Sequence, residues 1–284
     1  MRLSRVRCFL ELLPSRANKH STLYMLFCFS GTGNTRWAAQ TIAQALDDRL
    51  VDIADRHQWQ TDYNLADGES VGFCFPVHGW QPPRIFREFV SQLRISNASN
   101  RYCYAVCTCG DSIGKAMDMF QNDVLAVGFR LTAAFSLIMP ESYVCLPFMY
   151  TDTVEREHEK ISVSAKKLDG IINIIRCREE NHRDIFEGPM PWTLTHIVGA
   201  FFNRFMITDK PFTVDADVCT HCGLCQKVCP TANITRTADG LPSWNCNGNC
   251  TCCLACYHHC PVHAINYRNI TRKRGQYFFG IKHR

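Results

Sequence analysis

Two stretches of this 284-residue chain repeat one cysteine pattern. Cys219, Cys222, Cys225 and Cys229 are followed by Pro230, and Cys250, Cys253, Cys256 and Cys260 by Pro261. Three thiols at three-residue spacing wrap a loop around a polynuclear centre, and the fourth reaches away from it. Thiolate is a soft ligand that suits iron–sulfur clusters or zinc. Structural zinc takes four ligands, with CxxC pairs well separated, whereas the C-x2-C-x2-C-x3-C-P run carries iron and sulfide. The spacing therefore predicts two [4Fe–4S] clusters. Ten of the 18 cysteines fall between Cys219 and Cys260, and the other eight are scattered singly. Crowding of that kind favours metal and a reducing compartment such as the cytoplasm over a disulfide scaffold.

The module resembles the two-cluster bacterial ferredoxins over residues 212–267. That resemblance implies that the fourth cysteine of each run serves the other cluster. One cluster would take Cys219, Cys222, Cys225 and Cys260, the other Cys250, Cys253, Cys256 and Cys229. Cys246 and Cys252 fall outside this spacing and read as bystanders. His221, His258, His259 and His263 flank the ligands and read as solvated or supporting residues.

A second chemical signature is Ser30-Gly31-Thr32-Gly33-Asn34-Thr35, between an apolar run and a helix-like segment. Small residues let the backbone curl around a phosphate, with N–H groups and the helix dipole facing the anion. The loop lacks the lysine of a nucleoside-triphosphate loop and the three glycines of a dinucleotide fingerprint. Alone, it could equally be a plain strand-to-helix turn.

The elements that position these residues alternate. Strand signals fall at Tyr24–Phe29, Val51–Ile53, Val71–Phe75, Tyr102–Cys107 and Leu131–Met139. Helix signals fall at Trp37–Asp48, Pro82–Leu93 and Ser112–Val124. Such alternation predicts an α/β fold with a doubly wound parallel sheet covered on both faces. A long helix over 153–180 carries Val154, Ile161, Leu168 and Ile175 as an apolar stripe, with Ala165 and Ile172 beside it. Loops 76–83 and 108–114 follow the third and fourth strands. In a sheet of order 2-1-3-4-5 they converge with loop 30–35 on one crevice.

With those loops, residues 24–180 look like a flavodoxin. The resemblance implies FMN, with Ser30, Thr32, Gly33, Asn34 and Thr35 on its phosphate and Trp80 and Gly110 beside the ring. The second ring loop has no aromatic, so the resemblance leaves one flavin face to a partner or to the iron–sulfur module. Cys28, Cys74, Cys103, Cys107 and Cys145 read as small core residues, and Cys109 as the one thiol to consider reactive.

The domains expected are an extension (1–23) outside the fold with Met25 as native start, the flavodoxin-like domain (24–180), and a helical linker (181–208). A small α+β ferredoxin-like domain (209–267) and a basic tail (268–284), solvated or docking a partner, complete the chain. Residues 1–24 hold five Arg or Lys and one Glu, and residues 267–284 six Arg or Lys and no acid, so the body between is mildly acidic. Nothing resembles a nucleic-acid module. No stretch reaches the roughly 18–20 apolar residues of a transmembrane helix; Trp192–Ile207 reads as an amphipathic connector, with membrane contact through Phe201-Phe202 as a minor alternative.

The order of the two domains resembles the flavodoxin–ferredoxin fusion proteins of anaerobic microbes. It implies electron transfer among FMN, two clusters and redox partner proteins. Two rivals are a flavin-dependent reductase of a small acceptor and a ferredoxin carrier whose flavodoxin half only docks partners.

Overall fold

A computed structural model describes residues 24–66, 68–98 and 100–282. The extension expected over 1–23 lies outside the described residues. Six parallel strands form the main sheet in the order β2-β1-β4-β6-β7-β8. They are β1 (Tyr24–Cys28), β2 (Arg49–Asp52), β4 (Ser70–Pro76), β6 (Cys103–Cys109), β7 (Ala133–Ile138) and β8 (His182–Asp184). A short parallel pair, β3 (Asp62–Tyr63) with β5 (Arg94–Ile95), stands apart.

Period-two alternation sends successive side chains of β1 to opposite faces. Phe27 and Phe29 join the core under α2 (Arg84–Gln92) and α3 (Ala116–Ala126), while Leu26 and Cys28 join the core under α1 (Asn34–Leu46) and α4 (Val154–Arg176). Cys28 and Cys74 fill one face, and Cys103 and Cys107 the other, as small buried residues.

Four expectations need correction. The sheet has a sixth strand, because residues 182–184, assigned to the linker, pair with β7 in parallel. The stripe on α4 drifts, since a seven-residue repeat outruns the 3.6-residue turn. Its buried residues are Glu157, Ser164, Leu168, Ile171, Ile172 and Ile175, while Val154 is exposed. Cys145 packs in the core of the second domain rather than in the sheet. The basic tail is solvated only in part: Arg268, Arg272, Lys273 and Lys282 stay exposed, while Tyr277 is fully buried and Phe279 donates its N–H to Thr32 O at 2.8 Å.

The connector over 191–206 begins as a turn, α5 (Pro191–Thr193), and opens into wide π-helical turns at Leu194–Gly199 and Phe202–Met206. The small domain holds β9 (Phe212–Val214) antiparallel to β12 (Ile265–Tyr267), and β10 (Ile234–Arg236) antiparallel to β11 (Pro242–Trp244). One-turn helices α6 (Leu224–Lys227) and α7 (Ala255–His258) follow the first two cysteines of each run.

Candidate functional site

Parallel strands deliver the loops at their carboxyl ends to one edge of the sheet. There the loops after β1, β4, β6 and β7 line a cleft of about 460 Å³, a volume in the range of cofactor sites. Ser30, Thr32, Asn34, Thr35, Trp80 and Gly110 all reach it.

The first loop has the geometry of a candidate anion site. Gly33 adopts φ 101°, a left-handed conformation open to glycine. Among the described residues, the amides of residues 31–35 find no protein acceptor, and they stand at the positive end of α1. Ser30 Oγ takes the Arg36 N–H at 3.2 Å, and the Thr35 and Thr108 hydroxyls share a 2.7 Å hydrogen bond. Among the described residues no Lys or Arg lines the cleft, which leaves amides and hydroxyls to meet an anion there. Asn34 differs from expectation. Its Nδ2 donates to Pro140 O at 3.1 Å and its Oδ1 accepts from the Tyr277 hydroxyl at 2.7 Å. Only its backbone is left for a phosphate.

Trp80 donates its Nε1–H to Ser112 Oγ at 3.2 Å, which ties the second loop to the third. Gly110 O accepts from Lys160 Nζ at 2.9 Å, and Lys160 pairs with Asp152 at 2.6 Å. Cys109, considered above as a reactive thiol, lines the cleft, and burial pushes its thiol well up.

Several cleft residues had no signal in the motifs. Glu141 and Tyr143 come from the loop after β7, and Phe202 from the connector. Burial raises the Glu141 carboxyl even though it accepts from the N–H groups of Ser142 and Tyr143. The loop after the fifth strand was the clue available, since it must end at the same edge. The connector clamps the second loop: Asn203 Nδ2 donates to His78 O at 3.0 Å and Gln81 Nε2 to Thr195 O at 2.9 Å.

Both expected cysteine sets come together. Cys219, Cys222, Cys225 and Cys260 line one pocket. Burial raises the Cys225 thiol, and the other three thiols raise it further. In the second set, Cys256 feels Cys253, Cys250 and Cys229. Burial raises the thiols of Cys250, Cys253 and Cys256, Cys253 to about 12. Deprotonated sulfurs there require a positive centre. Backbone N–H groups point at three of the sulfurs: Asn233 at Cys229 (3.3 Å), Ala264 at Cys260 (3.2 Å) and Cys252 at Cys250 (3.3 Å). Cys252 contacts Cys145 and lines the cleft beside Cys253.

The two sites touch. A Cβ at Gly31 would stand 2.6 Å from Cys253 Cβ and 3.4 Å from its sulfur. The glycine is needed for this approach, and loop 30–35 abuts the second cysteine set.

His258 joins three segments. Its Nε2 meets Ser142 O at 2.6 Å, and its Nδ1 accepts the Tyr277 N–H at 3.0 Å. It is buried rather than solvated, and burial pushes its pKa down to about 3. The folded value lies below the unfolded one of about 6.5, so the neutral ring contributes stability that is present above pH 6.5 and lost as pH falls. Moving from pH 7.5 to 5.5 is expected to remove on the order of 1 kcal/mol. His258→Gln keeps a donor and an acceptor without titrating there, and its thermal midpoint should vary less over that interval. An unchanged pH dependence would assign the effect elsewhere.

Comparison with known proteins agrees with this architecture. Residues 25–125 match the family model described as a flavodoxin domain, and residues 212–235 match that of a 4Fe–4S binding domain. The second match ends before Cys250. Comparison with curated protein sequences gives no match. Among solved structures, the chain is similar to a protein of Bacteroides uniformis described as a flavoprotein, at 19% identity and TM-score 0.32. That match covers 41% of this chain and 92% of the other. An azoreductase of Bacillus anthracis is similar at 10% identity and TM-score 0.35, over 54% of this chain and 99% of the other. The fold and both family matches support a flavin and iron–sulfur redox role. The chain's two parts, a flavodoxin domain and then a 4Fe–4S binding domain, are those of a flavodoxin–ferredoxin fusion.

Proposed function

We propose that this chain relays electrons between redox partner proteins, using FMN in the cleft and two [4Fe–4S] clusters on its two cysteine sets. When bound, FMN exchanges one or two electrons and each cluster one. The observation that carries this reading is the contact of Gly31 with Cys253, which sets the phosphate loop against a cluster ligand. A docking-only flavodoxin half would need neither that approach nor unpaired amides over 31–35.

In this reading the amides of 31–35 and the hydroxyls of Ser30, Thr32 and Thr35 hold the phosphate. Trp80, fixed by Ser112, and Phe202 wall the ring site. Cys219, Cys222, Cys225 and Cys260 hold one cluster, and Cys250, Cys253, Cys256 and Cys229 the other. N–H groups aimed at Cys229, Cys250 and Cys260 stabilise charge on those sulfurs and so tune the potential. The reading remains that of an electron carrier, with donor and acceptor unassigned.

The test is anaerobic purification with quantification of iron, acid-labile sulfide and flavin. About eight iron, eight sulfide and one FMN per chain are expected. Zinc without sulfide, or clusters without flavin, would sink the relay. A second measurement concerns the loop. Thr32→Glu sets a carboxylate against the phosphate in a poorly hydrated site, where like charges repel strongly. It should lower FMN affinity at least about tenfold, since a loss of 1.4 kcal/mol suffices for that, with the iron content kept. Unchanged flavin affinity would make loop 30–35 a structural turn.

A further inference from the structure

The connector over 191–206 is amphipathic in the reverse sense. Its inward stripe holds Thr195, Gly199 and Asn203, small or polar residues, with Phe202 as its one buried aromatic. Thr195 Oγ1 accepts the Lys115 N–H at 2.7 Å and donates to Trp80 O at 3.2 Å. Its solvent face carries Trp192, Ile197, Val198, Phe201 and Phe205, the last two 60% and 64% exposed. An ordinary surface helix buries its apolar side and exposes its polar one. Phe148, 73% exposed, stands on the same cleft as Phe201, with Tyr150 close by in sequence and 61% exposed. The apolar face thus rims the cleft mouth. Exposed apolar clusters of this size on a soluble surface mark an interaction site.

Charge selects the occupant. Residues 188–208 contain no Asp or Glu, and Arg204 is exposed among the aromatics. The Arg274 guanidinium lies 3.5 Å above the Tyr150 ring, and Arg272 and Lys273 precede it. The face is aromatic with Arg204, Arg272, Lys273 and Arg274 at its border, while two acids, Asp111 and Glu141, lie within the cleft it rims.

We propose that this face docks on an anionic lipid surface, with the connector lying in the plane of the interface. Phe201, Phe205, Ile197 and Trp192 would enter the boundary between headgroups and acyl chains, and Arg204 and Arg274 would meet lipid phosphates. No helix among the described residues is long and apolar enough to cross a membrane, so attachment is peripheral. A protein partner would be met by about one hydrogen bond per 100–200 Å², and this face offers few polar groups to make them. A symmetric pair of copies would set two cationic borders against each other. Docked this way, the cleft opens toward the bilayer.

Flotation of the cofactor-loaded full chain tests this, using phosphatidylcholine vesicles with and without one-third phosphatidylglycerol. At least tenfold more protein should float with the anionic vesicles, and added salt should reduce it. Ile197→Ser combined with Phe205→Ser should lose that binding at least tenfold while keeping the parental iron and flavin content. Brominated lipid should quench parental tryptophan emission and lose most of that effect in Trp192→Tyr. Flotation of the double variant equal to that of the parent overturns the proposal. So does absence of binding, or a Trp192 shielded from iodide without vesicles, since residues 1–23 or a second copy would then cover the face. Concentration-dependent dimers lost in the double variant overturn it too. Salt-independent capture of an acidic protein by this face, without vesicle binding, would assign it to a protein partner.

Discussion

Cys229→Ala and Cys222→Ala are expected to damage different clusters although both cysteines lie in the first run. Cys229 raises the thiols of Cys253 and Cys256, whereas Cys222 lines the pocket that also holds Cys219, Cys225 and Cys260. Losing one of four thiolates opens a corner of a cubane, so each variant should lose or convert one cluster and drop from about eight iron toward four or seven. The sets share one small core, which contains Cys256, Cys260 and Ile265, and metal binding couples to its folding. Some loss at the neighbour is therefore expected in both variants. Electron paramagnetic resonance of the anaerobically reduced proteins distinguishes them by the cluster that survives. The same surviving signal in both variants would mean that each run keeps its own iron, and the crossed assignment would be wrong.

The cysteine sets were legible because their spacing is local and chemically restrictive, and the structure brings both crossed quartets together. The sheet was legible for a similar reason: residues 25–28, 70–75 and 103–109 are short, largely apolar runs, buried on both faces. The loops after them followed from the topology. The sixth strand was hidden because His182-Arg183-Asp184 is polar and lies at the sheet edge, where hydrogen bonding to β7 rather than burial defines it. The side-chain role of Asn34 was not legible, because its partner Tyr277 lies 243 residues away, beyond any local pattern. The tail carried a composition, six Arg or Lys within its last 18 residues, that suggested solvation. Its cations do remain outside in large part, while Tyr277 and Phe279 between them do the packing. Charge count describes the outer face of such a segment and says nothing about its inner one.

That strap makes Tyr277→Ala the substitution with the largest expected effect on stability. The ring is 1% exposed, the hydroxyl holds Asn34, and the backbone N–H holds His258. On one side Gln276 Nε2 donates to the carbonyls of Tyr257 at 2.6 Å and Cys260 at 2.9 Å. On the other, Phe279 stacks on Trp37 with centroids 5.2 Å apart, and its N–H reaches Thr32 O. A few residues thus tie a cluster-binding segment to the phosphate loop. Removing a buried aromatic side chain costs about 3–5 kcal/mol, or about 10 °C in thermal midpoint for a domain of this size. Tyr277→Phe keeps the ring and leaves Asn34 Oδ1 without its buried donor, a loss of about 1–3 kcal/mol. Asn34 also holds Pro140 O, so both variants should release flavin more readily, Tyr277→Ala more than Tyr277→Phe. The two are to be compared by thermal melting and by flavin retained after gel filtration, with iron measured in each. If Tyr277→Ala melts like the parent and keeps its flavin, the strap contributes nothing, and the tail only rests on a loop that is already formed.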